Sequence, residues 1–251
     1  MIDYNSQFAR TELMLGSDAL KKIHNSFVVI VGLGAVGGYA LEGLARAGVG
    51  KIKLIDFDQV GVSNINRQLL ATHSTVGKSK VALAKNRVQD IYPDCEVEAC
   101  EQFFHSDTAD DILANSPDLV IDAIDSLNPK VELLAACNRL NLPVISSMGA
   151  ALRSDFSKIK FGKLKKTINC PLARLVRKYL KKRNVSLNIP CVFSTEQVRE
   201  KTADSILPRE QSEDNAYDRG RKRQTLGSLP TITGIFGLLI ANEAIKKLAS
   251  N

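Results

Sequence analysis

A glycine-rich turn follows a continuous apolar run near the start of the chain. Residues 32–37 have the sequence Gly-Leu-Gly-Ala-Val-Gly, and residues 27–31 are all apolar. Between a strand and a helix, such a turn exposes backbone N–H groups at the helix N-terminus, where partial positive charge favours phosphate. The groups expected to face the phosphates belong to Gly32, Gly34, Ala35 and Gly37. The turn alone fits either NAD or ATP.

Polar side chains after the turn distinguish the two nucleotides. Asp56 ends a second apolar run, where a carboxylate can reach a ribose hydroxyl of either one. Asn64 and Arg67 are three residues apart and would share one side of a helical turn, and Lys80 begins the next helical pattern. An amide, a guanidinium and an ammonium near a phosphate turn suit a triphosphate, whose charge must be neutralised. A nicotinamide-dependent oxidoreductase would leave them unexplained.

Apolar periodicity predicts the elements that position these groups. Strands are expected within 27–31, 52–57, 97–104, 118–124 and 143–147, and helices within 80–91 and 129–140. A further helical pattern contains Leu41, Leu44 and Ala45 and is followed by Gly48. Strands that alternate with helices favour a parallel sheet, because each parallel pair needs a crossover. We therefore expect an α/β fold with a Rossmann-like, doubly wound, mostly parallel sheet.

The regularity changes after residue 150. An alternating strand is predicted for 156–164, a basic amphipathic helix for 172–183, a short strand for 191–195 and a terminal helix over 232–248. Residues 203–228 are polar and lack periodicity, which predicts a mobile crossover loop. We expect one domain, 1–251, with an ATP-binding half (1–150) and a basic substrate-binding half (151–251).

Charge is divided unequally between these halves. Residues 1–150 have a net charge of −5 and residues 151–251 a net charge of +12, and 158–183 contain eleven Lys or Arg without a carboxylate. A single-sign patch attracts polyanions, so we expect a nucleic-acid surface. An acidic partner protein or a solvated helix face remains an alternative. The candidate contacts are Lys165, Lys166, Arg174, Arg177, Lys178, Lys181, Arg221 and Arg223.

Five motifs resemble those of the ThiF/MoeB/ubiquitin-activating superfamily of adenylating enzymes. They are GLGAVG (32–37), DFD (56–58), SNINRQ (63–68), VGKSK (76–80) and IDAIDS (121–126). The resemblance implies that Asp56 binds the ATP ribose and that Asn64, Arg67 and Lys80 hold the phosphates. It also implies that Asp125 helps to position Mg²⁺ for attack by a substrate carboxylate. The expected ATP site comprises Gly32, Gly34, Ala35, Gly37, Asp56, Asp58, Asn64, Arg67, Gln68, Lys80 and Asp125, with Arg10, Arg67, Lys80 and Asp125 as catalytic residues.

Within the superfamily, the chain is similar to a branch of tRNA-modifying dehydratases over about residues 8–249. That branch implies adenylation of a threonyl carboxylate beside the tRNA anticodon, followed by ring closure, with ATP and Mg²⁺ as cofactors. It also implies a homodimer in which Arg10 reaches the partner's nucleotide. The alternative is adenylation of a ubiquitin-like sulfur carrier, as in the ThiF and MoeB branches, and a cysteine-desulfurase system remains a possible partner. A non-catalytic scaffold that binds nucleotide ranks last.

Other polar residues have plainer interpretations. Lys80 could be a solvated lysine, Asn64 and Arg67 could cap their turn, and Asp122 could cap a helix or act as a ligand. Cys191 is expected to be a buried structural thiol and His73 a surface residue.

Five cysteines without a C-x-x-C pair predict reduced thiols and no zinc site. No apolar run approaches the roughly 20 residues of a membrane span, and no secretion signal is evident. We therefore expect a cytoplasmic protein that does not contact a membrane.

Overall fold

Strands from both halves of the chain share one seven-stranded sheet. A computed structural model describes residues 7–198 and 226–250. The strands are β1 (Phe27–Val31), β2 (Lys51–Ile55), β3 (Glu96–Cys100), β4 (Leu119–Asp122), β5 (Val144–Ser147), β6 (Ile159–Lys163) and β7 (Pro190–Ser194). The helices are α1 (Ala9–Leu15), α2 (Ser17–His24), α3 (Gly37–Ala47), α4 (Lys80–Ile91), α5 (Ala109–Ile112), α6 (Leu127–Arg139), α7 (Pro171–Lys182) and α8 (Pro230–Ser250).

The strand order places the ends of β1 and β4 side by side. The order is β3-β2-β1-β4-β5-β7-β6, and only the β6–β7 pairing among these neighbours is antiparallel. The chain runs outward from β1 to β2 and β3, then returns to β4 on the other side of β1. In sheets of this kind, ligands bind at the carboxyl ends of the strands where the order reverses. Val31 pairs with Asp122 there, so the turns that follow β1 and β4 form one edge of the sheet.

Helices cover both faces of the sheet. Val28 and Ile30 of β1 pack into a core with α3, α4 and α8, whereas Val29 faces a second core with α5 and α6. A third core joins α6 and α7 to β7. The helix α8 lies so close to the start of α3 that a Cβ atom at Gly237 would be 2.4 Å from the Val36 carbonyl oxygen. The terminal helix therefore supports the element that begins at the glycine-rich turn.

The α/β fold with a mostly parallel sheet is confirmed, with three local differences from the predicted elements. The predicted strand 97–104 ends at Cys100, and the pattern at 156–164 is a 3₁₀ turn, Phe156–Lys158, followed by β6. The short helices α1 and α2 were not expected. Of the crossover loop predicted for 203–228, only 226–228 lie among the described residues, so its mobility stays a prediction.

In the described ranges, no helix combines the length and apolar content that crossing a bilayer would require.

Candidate nucleotide and tRNA site

The glycine-rich turn leaves β1 in a conformation that needs two of its glycines. Gly32 has φ +93°, and a Cβ there would lie 2.9 Å from the Ala123 carbonyl oxygen in the turn after β4. A Cβ at Gly37 would lie 1.8 Å from the Gly32 carbonyl oxygen. The turn is therefore packed against the end of β4, and α3 starts directly from it.

Asp56 holds the turn through its carboxylate. One oxygen accepts a hydrogen bond from the Leu33 N–H at 2.6 Å, and the other accepts one from the Asp58 N–H at 2.8 Å. Burial raises the pKa of Asp56, while the charge of Lys80 opposes that shift. An ionised carboxylate has about four acceptor positions, so these bonds leave capacity for a ribose hydroxyl. The role of Asp56 toward ribose stays a prediction.

Lys80 is a buried cation, so its interpretation as a solvated lysine is wrong. Its side chain is 5% exposed, and its Nζ lies 2.9 Å from an Asp58 carboxylate oxygen, whereas the Asp58 side chain is 45% exposed. The Lys80 N–H also donates to the Asp58 carbonyl oxygen. The start of α4 thereby carries an ammonium group to the same edge as Asp56.

The segment between β2 and α4 supplies the guanidinium. Arg67 donates from one nitrogen to the Ser63 carbonyl oxygen and to the Asn66 side-chain oxygen, both at 2.8 Å. Burial lowers the pKa of Arg67, and the nearby charge of Asp125 opposes that shift. Asn64 accepts from the Gly61 N–H at 3.2 Å, which closes its turn. Asn64 and Arg67 therefore do cap their turn, as the plainer interpretation holds. Their roles toward phosphate stay predictions.

Asp125 and Gln68 complete the group at the turn. Asp125 is exposed in the loop between β4 and α6, and Gln68 is buried with its amide nitrogen 3.9 Å from the Cβ position of Gly34. Within 7–198 and 226–250, no cluster of three or more His, Cys, Asp or Glu side chains is arranged to hold a metal. Mg²⁺ commonly uses one or two carboxylates and takes its remaining ligands from phosphates and water. Asp125, exposed beside Arg67, fits that mode of binding.

Asp122 has neither of the roles considered from the sequence. It is fully buried, and its carboxylate binds the Lys130 ammonium at 2.6 Å and the Ser146 hydroxyl at 2.5 Å. It therefore neither caps a helix nor faces a ligand. Lys130 was missed by sequence reasoning, although it shares a helical face with the apolar Leu134 and Cys137. A lysine within an apolar stripe was the available signal.

Comparison with known proteins identifies the family. The model of the ThiF family matches residues 4–251. The chain belongs to the ThiF family.

Two relatives of this ThiF-family protein share much of its length. The tRNA threonylcarbamoyladenosine dehydratase of Bacillus subtilis is 42% identical over 190 residues, which are 76% of this chain and 75% of the relative. The crystal structure of the E. coli tRNA N6-threonylcarbamoyladenosine dehydratase TcdA in complex with ATP superposes with a TM-score of 0.85 at 32% identity. That match covers 98% of this chain and 95% of the E. coli chain.

An adenylyltransferase of the same superfamily matches a smaller part of the ThiF-family chain. The molybdopterin-synthase adenylyltransferase of Salmonella typhimurium is 36% identical over 156 residues, 62% of this chain and 60% of the relative. The likeness to the dehydratases thus extends over more of the chain than the likeness to this enzyme.

The cysteines of the ThiF-family chain are free thiols, as expected. Cys95, Cys137, Cys170 and Cys191 are buried and Cys100 is partly buried. Burial raises the pKa of Cys191 to about 12, so the thiolate is negligible near neutral pH. The prediction of a buried structural thiol at Cys191 is confirmed, and His73 is exposed as predicted.

The basic helix α7 presents most of its charge to solvent. The candidate tRNA contacts that are exposed are Lys165, Lys166, Arg174, Lys178 and Lys181. Arg177 is instead half-buried and donates to the Thr167 carbonyl oxygen at 2.9 Å and to the Thr167 hydroxyl. Arg221 and Arg223 lie outside the described residues. Arg10 is exposed on α1.

Proposed function

We propose that this protein uses ATP to dehydrate N6-threonylcarbamoyladenosine in tRNA through an acyl-adenylate. The observation that carries the proposal is that Lys80 lies near Asp56, the residue that holds the turn after β1, and that Arg67 lies near Asp125 in the adjacent loop after β4. Cationic groups beside a phosphate-binding turn stabilise the charge that develops when an oxygen attacks the α-phosphate. Likeness to the B. subtilis and E. coli dehydratases over most of the chain supports this substrate.

The first step joins the substrate to AMP. The threonyl carboxylate attacks the α-phosphate, the bond to the β-phosphate breaks, and pyrophosphate leaves. Asp56 binds the ribose, while Arg67, Lys80 and Asn64 hold the phosphates. When bound at Asp125, Mg²⁺ would supply charge neutralisation at the phosphate oxygens. Asp58 neutralises Lys80 in the absence of ATP, and a phosphate takes over that charge when ATP binds.

The second step closes the ring. The ureido group of the same nucleoside attacks the activated acyl carbon, and AMP leaves. Because both reacting groups belong to one molecule, effective molarities of about 10⁵ M or more are attainable without an enzyme nucleophile. The buried, neutral thiol of Cys191 is consistent with such a route.

The tRNA lies on the basic surface formed by α7 and the 3₁₀ turn Leu164–Lys166. These elements follow β6, in the half of the chain with a net charge of +12. Residues 158–183 contain no carboxylate, although Arg183 pairs with Glu132 of α6, so the cations of this surface are in excess, which favours a polyanion.

The proposal includes a homodimer in which Arg10 reaches the nucleotide of the partner subunit. Arg10 is exposed on α1, and the neighbouring Leu13 and Met14 are 87% and 82% exposed. An apolar surface beside an exposed arginine suits a contact with a second copy.

We further propose that residues 1–251 form one domain, which the shared sheet supports. We also propose a cytoplasmic location, where the tRNA substrate is found.

Pyrophosphate release tests the function and separates it from the alternative. The protein is incubated with ATP and Mg²⁺, together with either tRNA that carries N6-threonylcarbamoyladenosine or a ubiquitin-like sulfur carrier. We expect release of pyrophosphate and AMP only with the modified tRNA, and a mass loss of one water in the nucleoside. Release with the carrier alone would establish the sulfur-carrier activity. Calorimetry that detects NAD binding but no ATP binding would contradict both.

A further inference from the structure

Asp122, Lys130 and Ser146 form a polar cluster that is completely removed from solvent. The side chains of Asp122 and Lys130 are both 0% exposed, with the Lys130 Nζ 2.6 Å from an Asp122 oxygen. The Ser146 hydroxyl donates to the same oxygen at 2.5 Å and lies 3.4 Å from the Lys130 Nζ. Asp122 and Ser146 are register partners in β4 and β5. The cluster thus joins two strands to the first turns of α6.

Stability alone is a weak explanation for this cluster. Removing two charges from water is expensive, and well-packed apolar residues of similar volume often give equal or greater stability. The neighbouring titratable groups do not share the charge, because burial raises the pKa of both Cys137 and Cys191 to about 12. The charges of Asp122 and Lys130 therefore neutralise each other.

The cluster is bonded to the start of the loop that carries Asp125, and the helix that bears Lys130 begins at the end of that loop. At the start, the second Asp122 oxygen accepts a hydrogen bond from the Ile124 N–H at 3.1 Å. At the end, the Lys130 N–H donates to the Ser126 carbonyl oxygen at 3.3 Å. The backbone bond to Ser126 is the ordinary first-turn bond of α6 and persists in any variant other than proline, so the specific contribution of Lys130 is its side chain, which orients Asp122. Asp125 lies between these two attachments.

We propose that Lys130 is a positioning residue that, through Asp122, holds the 123–126 loop and its Asp125 in the geometry for adenylation. The expected effect on kcat rests on the proposed function, whereas the expected effect on the 123–126 loop does not. Lys130 does not touch ATP or the substrate. Its ammonium sets the orientation of the Asp122 carboxylate, and that carboxylate sets the path of the loop.

The test uses Lys130→Met and the double variant Asp122→Asn, Lys130→Met. In the single variant, Asp122 loses its cation and its bond to Ile124 weakens. In the double variant, an asparagine can still accept from the Ile124 N–H and donate to Ser146, while methionine fills the volume of the lysine stem. Lys53→Met is the matched control, since Lys53 is also buried and paired, with Glu98 at 3.0 Å, but lies in β2.

Two measurements are made on the full chain. Amide hydrogen exchange without ligands should speed up about tenfold at residues 123–126 in Lys130→Met, as expected for loss of one hydrogen bond, and return toward wild type in the double variant. With ATP and modified tRNA, kcat should fall about tenfold in Lys130→Met and recover in the double variant, with ATP affinity changed less than twofold.

The opposite results would overturn the proposal. If Lys130→Met only lowers the melting temperature, the result expected of the control Lys53→Met, with exchange at 123–126 and kcat unchanged, then the pair is merely structural. Should Lys130→Met fail to fold, Lys130→Gln replaces it, because it also removes the cation that faces Asp122. Wild-type exchange at 123–126 together with wild-type kcat in that variant would equally contradict the proposal. If the wild-type protein releases no pyrophosphate with modified tRNA, the proposed function fails, while the exchange measurement still decides the role of Lys130.

Discussion

The ion pair of Lys80 and Asp58 would allow the proposed phosphate site to form before the phosphate binds. Lys80 is almost completely buried, while the Asp58 side chain remains nearly half exposed. A buried ammonium without an anion would be costly, and Asp58 removes that cost. Because Asp58 has access to solvent, it can yield its place to a phosphate oxygen without opening the core. The proposed site therefore contains a buried cation before an anionic ligand binds.

Asp125→Ala tests a single carboxylate in this site. Because a carboxylate that positions a metal acts mainly on charge that develops in the transition state, we expect kcat to fall about a hundredfold and ATP affinity to change little. Single-turnover pyrophosphate release and calorimetry measure the two quantities. Asp94→Ala, an exposed aspartate before β3, is the control. Equal losses in binding and rate, or a fully active variant, would contradict the role.

The thiols provide a second test at the residue scale. We expect a variant with all five cysteines replaced by Ala or Ser to cyclise the nucleoside, because the attack on the adenylate is intramolecular. Mass spectrometry of the nucleoside measures the product, and circular dichroism establishes that the variant is folded. In the wild type, the thiols with a pKa of about 12 should resist iodoacetamide at pH 8. Loss of product traced to Cys191→Ser in a folded protein would indicate a thioester or persulfide route.

Sequence reasoning located most of the candidate site because its residues occupy short contiguous motifs. Lys130 was missed, and the roles considered for Asp122 were wrong, for one physical reason. Their partnership with Ser146 joins β4, α6 and β5, and such a contact exists only after the sheet has formed. Lysines are seldom fully buried, so no local pattern outweighed that expectation.

The secondary-structure elements likewise divide into those that the local sequence predicts and those that depend on tertiary contacts. Strands β1 and β4 are completely buried and mostly apolar, and their bounds agree with the predictions to within two residues. The helices α1 and α2 have seven and eight residues, too few to be stable alone. Leu20 and Ile23 of α2 are buried, and α2 packs on α8. Such helices depend on contacts that the sequence does not reveal.

The exposed charges of helix α7 are expected to bind tRNA. Replacement of Arg174, Lys178 and Lys181 by Gln should weaken tRNA binding and leave ATP affinity unchanged, since these side chains are exposed and away from the turn after β1. Arg177 is retained because its bonds to Thr167 hold the helix in place. Each lost phosphate contact should reduce the log–log slope of affinity against salt by roughly 0.7 to 0.9.

The control for α7 removes charge elsewhere. Gln at the exposed Lys21 and Lys22 of α2, together with Lys85 of α4, lowers the net charge equally. Filter binding across a salt series compares the two variants. An unchanged slope in the α7 variant, or equal changes in both, would mean that the tRNA surface lies elsewhere.

The whole molecule combines an acidic half and a basic half on one sheet. Five strands come from residues 1–150 and two from 151–251, with β7 pairing directly with β5. Nucleotide and tRNA would therefore be held by parts of one continuous sheet. This arrangement allows the basic surface to place a bulky substrate relative to the ATP without a hinge between separate units.

Mixing two inactive variants tests whether a second copy completes the site. We expect Arg10→Ala and Lys80→Ala each to lose activity as separate homodimers. In a heterodimer, the subunit that keeps Lys80 receives Arg10 from its partner, so random mixing should restore about a quarter of the wild-type rate. Pyrophosphate release after dissociation and reassociation measures it. No recovery despite verified subunit exchange would show that Arg10 does not act across the interface.

The two boundaries of the crossover segment lie against the same short stretch of chain. The Glu196 carboxylate accepts hydrogen bonds from the Ser154 and Asp155 N–H groups, each at 3.0 Å, and the Leu152 N–H donates to the Gly227 carbonyl oxygen at 2.9 Å. The chain thus departs and returns at nearly one place, so the sheet imposes little constraint on the number of residues between. Doubling the length of a flexible loop costs only about 0.6 kcal/mol. A change of length, or an inserted reporter domain, at a position away from Arg221 and Arg223 would therefore leave both halves of the sheet in place.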